Sequence, residues 1–327
     1  MRYVILLLLM TVSCEMLLAE QIYNRDLVQK AKDNNAEAQY NLAMCYDTGL
    51  GVAKNKREAI KWLKLAAERN YARAQYNLGL CYFNGDGVEK DYSAAYNWFS
   101  VAANQGLPEA QYSMGLCHGM GLGVPVDCAI ALRWFRLASD QGYSKAQYCL
   151  GCCYNFGEGT EVDKVEAVKW FRRAAQSGYA KAQYSLGCCY NFGEGTSQDA
   201  IEAISWYHSA ALQGHAGAQF NLGTVYYNGD GVPRDYTEAV KWFKMAAEQG
   251  FADGQYVLGN CYHTGNGVPK DDLEAIFWWK LAAANNHESA RYIYEKVSRE
   301  LTEEELQQLQ ARAEKWIAEH GSVKIVD

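Results

Sequence analysis

Apolar positions in this chain fall in short helical stripes that recur at one fixed interval. Ala38-Gln39-Tyr40 returns as Ala74-Gln75-Tyr76, again at 110, 146 and 182, at 218 with Phe220 in the third place, then as Gly254-Gln255-Tyr256 and Ala290-Arg291-Tyr292. The step is 36 residues throughout, with no insertion or deletion. A constant period of that length signals one supersecondary unit stacked on itself. Taking the Ala of the triplet as column 0, columns 0, 4, 5 and 8 (Ala38, Leu42, Ala43 and Tyr46 in the first unit) share one face at 3.6-residue spacing. This predicts a helix over roughly Ala36 to Thr48 and its equivalents. Column 5 is Gly in the other six units, Gly79 to Gly259. A helical Gly costs about 1 kcal/mol against Ala, so its recurrence predicts a second helix crossing there at close range.

The punctuation between stripes is equally regular. A Gly-x-Gly turn follows each first helix, from Gly49/Gly51 to Gly265/Gly267, and predicts a tight reversal with positive φ. Column 17 then holds Asn55, Asp91, Asp127, Asp163, Asp199, Asp235 or Asp271 as N-cap of a second helix. Glu58, Glu166, Glu202, Glu238 and Glu274 stand three residues later, where a capping box places them. Trp fills column 24 in every unit, from Trp62 to Trp278, and is followed by an aromatic or Leu63. Paired small residues such as Ala66-Ala67 suit close packing on the next unit. Column 32 is always Gly or Asn, the residues that accept a left-handed C-cap. The unit is a helix hairpin, and the array is predicted to be an all-α, right-handed α/α superhelical solenoid of seven hairpins with capping helices at its ends. The expected organisation is a signal segment over 1–19, a capping segment over 20–35, repeats over 36–289 and C-terminal capping helices over 290–327. In the last, Thr302-Glu-Glu-Glu305 opens a helix that lays Leu306, Leu309, Ala313 and Trp316 over the final core face.

Composition changes this picture little. The 31 Lys and Arg against 38 Asp and Glu give a net charge of −7, with no basic run. Nucleic-acid binding normally requires a basic stripe that displaces counterions, so that class of partner is disfavoured. Met1-Arg2 followed by the apolar run Tyr3 to Val12 has the form of a secretory signal and is short for a bilayer span. Met10-Thr-Val-Ser-Cys14 also has the form of a lipoprotein box, with Cys14 as the acylated residue. Export, periplasmic or secreted, is expected, in a soluble or a lipid-anchored form, with no membrane span in the mature chain and with oligomeric state left open.

Ala74-Gln-Tyr-Asn-Leu-Gly79, Gly85-Asp-Gly-Val88, Trp242-Phe-Lys-Met-Ala-Ala247 and Gln249-Gly250 closely resemble the Sel-one-like repeat, a relative of the tetratricopeptide hairpin. The resemblance covers about residues 34 to 300 and implies a scaffold or adaptor that binds protein or peptide on its concave side. Exported, cysteine-rich relatives tie each second helix to the next first helix by disulfides eight residues apart, and some are described as penicillin-binding or penicillin-hydrolysing. The matching pairs here are Ala67/Gln75, Ala103/Gln111, Ser139/Gln147, Ala175/Gln183, Ala211/Gln219 and Ala247/Gln255. None is cysteine, which argues against placing the chain in that branch.

The chemistry-bearing residues fit packing better than catalysis. Cys45, Cys81, Cys117, Cys153, Cys189 and Cys261 occupy column 7, where Val225 takes the remaining slot, so they read as small apolar fillers. Cys152-Cys153 and Cys188-Cys189 diverge by about 100° on a helix and lack the Cys-x2-Cys spacing of zinc sites. A disulfide between Cys117 and Cys128, placed across one hairpin, is the single bridge the spacing suggests. His118, His208, His215, His263, His287 and His320 recur in no single column, only His215 and His287 being equivalent, and read as replacements or surface groups. Ser-x-x-Lys, Gly-x-Ser-x-Gly and His-Glu-x-x-His are all missing from the sequence. No catalytic residue, metal ligand or cofactor is assigned. Columns 2, 6, 9 and 10 lie opposite the buried stripe and, apart from the Tyr ladder in column 2, vary between units. They outline a concave groove for a protein or peptide, with Tyr112, Leu116, Met120, Tyr148, Phe156, Tyr184 and Phe192 at its centre. Two other readings stay open: that the ladder only packs on a neighbouring helix, and that column 10 fills a loop edge. For the whole chain the rivals are a cell-wall or β-lactam hydrolase and a membrane-tethered intracellular assembly scaffold.

Overall fold

A computed structural model describes residues 23–320; the signal segment and Cys14 lie outside the described residues. The chain divides into two compact units between Val162 and Asp163. The first contains α1 (Arg25–Lys32), α2 (Ala36–Thr48), α3 (Lys56–Glu68), α4 (Ala72–Asn84), α5 (Tyr92–Asn104), α6 (Pro108–Met120), α7 (Cys128–Asp140) and α8 (Ser144–Phe156). The second contains α9 (Lys164–Gln176), α10 (Ala180–Phe192), α11 (Ala200–Leu212), α12 (Ala216–Asn228), α13 (Tyr236–Glu248), α14 (Ala252–Thr264), α15 (Asp272–Ala284), α16 (Glu288–Val297), a 3-10 turn (Ser298–Glu300) and α17 (Glu303–His320). The described residues are thus an all-α series of paired helices, and α2 spans the residues the periodicity predicts.

The local signals act as the sequence indicates. Each column-17 side chain accepts a backbone N–H in the first turn of its second helix, as Asn55 does from Glu58 and Asp235 from Glu238. Column 32 is left-handed, with Asn70 at φ 61° and Gly106 at φ 90°. The capping box, however, is only half made. The N-cap N–H turns back to the column-8 carbonyl of the first helix, as in Asn55 to Tyr46 (2.8 Å) and Asp271 to Tyr262 (2.9 Å). This closes the turn and frees the column-20 glutamates. Glu202 and Glu274 accept instead from the indole N–H of Trp206 and Trp278. Glu166 and Glu238 pair with Lys169 and Lys241.

The core is centred one residue past the invariant Trp. Leu63, Phe99, Phe135, Phe171, Tyr207, Phe243 and Trp279 in column 25 are all buried, whereas Trp62, Trp98, Trp134 and Trp206 are only half-buried. This explains column 5. A Cβ on Gly79, Gly223 or Gly259 would stand 2.6–2.7 Å from the Phe99, Phe243 or Trp279 ring and 3.0–3.3 Å from a carbonyl of the partner helix. The first unit of the array, with Leu63 instead of a ring, carries Ala43 in column 5 and buries it completely. Gly and aromatic exchange together for Ala and Leu.

A second buried element is polar. Gln39, Gln75, Gln111, Gln147, Gln183, Gln219 and Gln255 are buried inside the apolar stripe. Each donates its side-chain amide to the carbonyl eight residues earlier, at 3.0–3.3 Å, on the preceding helix. In five units the same amide oxygen accepts from column 31: Gln105, Gln141, Gln213 and Gln249 at 2.6–2.7 Å and Asn285 at 3.0 Å. These glutamines span the positions where cysteine-rich relatives carry disulfides. Arg69 and Ser177 take column 31 in the remaining units, and the Gln39 and Gln147 oxygens are left without a hydrogen-bond partner.

The cysteines follow the packing reading. All six of column 7 are buried and Val225 fills the seventh slot. Burial pushes the Cys117, Cys189 and Cys261 thiols up to about 11 and Cys153 to about 12, which disfavours thiolate chemistry. The Cys117–Cys128 disulfide does not form: both are free, with Cys117 in the core and Cys128 opening α7. At the C-terminus, Thr302 and Glu305 make a reciprocal capping box. Leu309 and Ala313 bury against Phe277, Trp278 and Leu281, with Trp316 packed beside them and Leu306 half-buried.

Two stability predictions follow from these contacts. Gly223→Ala should destabilise by about 1–3 kcal/mol through overpacking against Phe243, despite its better helix propensity. Adding Phe243→Leu, which recreates the Ala43/Leu63 pair, should recover part of that loss in a denaturant double-mutant cycle, whereas strictly additive effects would contradict the close contact. His118 is buried, its Nε2 lies 3.4 Å from the Tyr96 hydroxyl and its Nδ1 has no partner. Burial lowers its pKa below the ordinary histidine value, so the unfolded chain binds the proton more readily. Stability present above about pH 6.5 should therefore decline as pH falls through that value. Tyr96→Ile with His118→Tyr, copying the Ile60/Tyr82 pair, should remove this component from melting temperatures measured between neutral and mildly acidic pH.

Candidate binding face

The face opposite the Gln-bearing stripe is carried by columns 2, 6, 9 and 10 of the first helices. Column 2 is half-buried from Tyr40 to Tyr256. Within each unit, its rings pack against the column-25 side chain of their own hairpin or the residue that N-caps the next first helix. Tyr112 lies 6.0 Å from Phe135 and 5.4 Å from Tyr143 between ring centroids. In the second unit, Tyr184 stacks on His215 at 4.5 Å and lies 6.1 Å from Tyr207, and Tyr256 stacks on His287 at 4.3 Å. These rings are therefore packed on one side, as the packing alternative has it. Tyr148 and Leu116 are half-buried as well.

Column 6 also turns partly inward. Cys188 accepts a 3.5 Å hydrogen bond from Tyr207, and Asn260 accepts one of 3.0 Å from the Trp279 indole. At these two positions the polar side chain meets the hydroxyl or indole N–H of its column-25 ring, whereas the Thr224 hydroxyl donates to the Phe220 carbonyl of its own helix. Column 10 differs. Met120 and Phe156 in the first unit are 65% and 67% exposed, and Phe192 in the second is 69% exposed. Large apolar side chains this open contrast with Thr48, Asn84, Asn228 and Thr264 in the same column.

The histidines have structural employment. His215 and His287 cap α12 and α16, each accepting a backbone N–H at Nδ1. His263 pairs with Asp272 at 2.7 Å, and His208 meets the edge of Trp242. His320 stacks on Trp316. What sequence reasoning missed is column 16, the residue that ends each turn. Its Cβ or side chain rests on the first glycine of the turn, as Lys54 does on Gly49, Lys90 on Gly85, Val126 on Gly121 and Val162 on Gly157. Column 10 immediately precedes that glycine, so the two columns form one ledge along the turns. The signal available was their joint change, from Thr48/Lys54 and Asn84/Lys90 to Met120/Val126 and Phe156/Val162.

Comparison with known proteins bears on the fold. The Sel1 repeat family model matches seven times in tandem, over residues 36–71, 72–107, 108–143, 144–179, 180–215, 216–251 and 252–287. No curated protein matches the chain. A crystal structure of a Sel1 repeat protein from Oxalobacter formigenes is 34% identical, with a TM-score of 0.70, covering 83% of this chain and 78% of that one. A protective antigen present in uropathogenic Escherichia coli strains, displaying an SLR fold, is 32% identical with a TM-score of 0.48, covering 92% of this chain and 72% of that one. Seven uninterrupted repeat matches and a relative sharing a third of its aligned residues make the conclusion direct: the chain belongs to the Sel1-repeat family.

Proposed function

We propose that this protein is a non-catalytic scaffold that binds a protein or peptide segment along the face of its first helices, and that it acts after export. The observation that carries the reading is the exposure of Met120 and Phe156 in the first unit, and separately of Phe192 in the second, on helix faces whose neighbouring columns are otherwise occupied by packing. Apolar side chains of this size held open to water mark contact surfaces in preference to core. The histidines and buried thiols are engaged in capping, stacking and packing, which supports a binding role over hydrolysis. Among the described residues no helix is long and apolar enough to cross a membrane. Export rests on the N-terminal apolar run, and acylation on Cys14, both outside the described residues.

Phe156→Ala together with Phe192→Ala should reduce recovery of a bound protein from envelope extract by at least about tenfold, since exposed aromatics dominate binding energy. The melting temperature should barely move, because both rings are largely exposed. Early melting with normal recovery by the folded fraction would return these rings to the core and defeat the reading. Nitrocefin turnover by the purified protein, lost in a variant control, would favour the hydrolase instead.

A further inference from the structure

The ledge along the hairpin turns is not uniform, and its composition specifies a partner. In the first unit, Lys54 and Lys90 end the first two turns, next to Thr48 and Asn84. The following two turns replace both members at once, giving Met120 with Val126 and Phe156 with Val162. Val126 and Val162 are 60% and 58% exposed, close to the values for Met120 and Phe156. These two turns abut: a Cβ on Gly159 would overlap the carbonyl oxygen of Cys128, at the start of the helix that the preceding turn leads into. Four open apolar side chains therefore line one edge of two touching turns. Both columns are apolar in these two consecutive repeats, whereas the next repeat pairs Phe192 with Gln198.

Charge at the same edge has one sign. Glu158 and Glu161 lie within the turn bounded by Phe156 and Val162, and both are exposed. Neither forms an ion pair among the described residues. In two other repeats the residue equivalent to Glu158 is tied to a lysine at the start of the preceding second helix, Asp86 to Lys56 in the first unit and Glu194 to Lys164 at 3.0 Å in the second, whereas Asp230 accepts from Asn228. Glu158 has Cys128 in the lysine's place. The two apolar turns also lack the base that column 16 supplies at Lys54, Lys90, Arg234 and Lys270. The apolar edge thus carries two uncompensated carboxylates on a chain of net charge −7, and complementary potential is what steers and selects a partner at such an edge.

From these observations we infer that the ledge formed by Met120, Val126, Phe156 and Val162, with Glu158 and Glu161, docks a cationic amphipathic segment of a protein partner. Apolar side chains of that segment cover the ledge while its Lys or Arg side chains meet the two carboxylates. The inference rests on the scaffold reading above and adds the chemistry of the partner.

Fluorescence anisotropy with the full protein tests it, using a labelled amphipathic leucine–lysine peptide, its leucine–glutamate counterpart and a serine–lysine peptide of equal charge. The leucine–lysine peptide should bind at least about tenfold more tightly than either control. Met120→Asn with Phe156→Asn, which copies Asn84 and Asn228, should weaken it by about that factor. Glu158→Gln with Glu161→Gln should weaken it severalfold and flatten its salt dependence. If the asparagine pair lowers the melting temperature, Val126→Gln with Val162→Gln, copying Gln198, reads the same edge. Equal binding of the glutamate or serine peptide, unchanged binding by these variants, or no binding of any peptide overturns the inference. The scaffold reading is decided separately by recovery of a partner from envelope extract.

Discussion

One buried amide per repeat holds neighbouring helices in register. The column-1 glutamine donates backwards to a carbonyl of the preceding helix and, in five units, accepts from an amide at the end of its own hairpin's second helix. Leaving a buried polar group unsatisfied costs about 1–3 kcal/mol. The first helix must therefore approach both flanking helices at hydrogen-bonding distance or forfeit that amount. Glycine in column 5 makes the approach sterically feasible, and the column-25 ring fills the space that the missing Cβ leaves.

Much of the architecture was legible because every repeat presents the same punctuation. N-caps, left-handed glycines and helix lengths are local properties, and seven copies remove the ambiguity of one. The depth of burial was harder to read. Trp is invariant and column 25 is not, yet column 25 lies deeper, because Leu63, Phe99, Tyr207 and Trp279 each match their own column-5 residue. Invariance of Trp62 to Trp278 instead accompanies a position of variable depth, half-buried at Trp62, Trp98, Trp134 and Trp206 and buried at Trp170, Trp242 and Trp278. The glutamine was visible as a triplet member, but a polar residue on an apolar stripe gives no indication of its partners until the carbonyl eight residues back is seen to face it. The Glu58-type capping box failed for a related reason: the tight turn offers the N-cap N–H a closer acceptor in the column-8 carbonyl.

The candidate surface was legible in part. Column 10 stood out by varying, and Met120, Phe156 and Phe192 are indeed open. Column 2 was read by angle alone as facing away from the core, whereas Tyr112 and Tyr184 fold one side of their rings against neighbours. A helical wheel describes one helix, and these rings lie at the junction of three. Column 16 escaped notice because it belongs to a turn, where helical periodicity carries no information. Its role emerges only once the turn places it over the glycine that follows column 10.

The reach of the glutamine bridge has a consequence for biosynthesis. Its donor arm spans eight residues and its acceptor arm thirty, so each link closes soon after its own hairpin has been made. Chains whose contacts are this local fold quickly and can do so progressively from the N-terminal end during synthesis. Disulfides at the same spacing would make each closure wait for an oxidant. With an amide in that position the array can consolidate one hairpin at a time in a reducing or an oxidising compartment alike, and its buried thiols are sequestered before they can be diverted into wrong bridges.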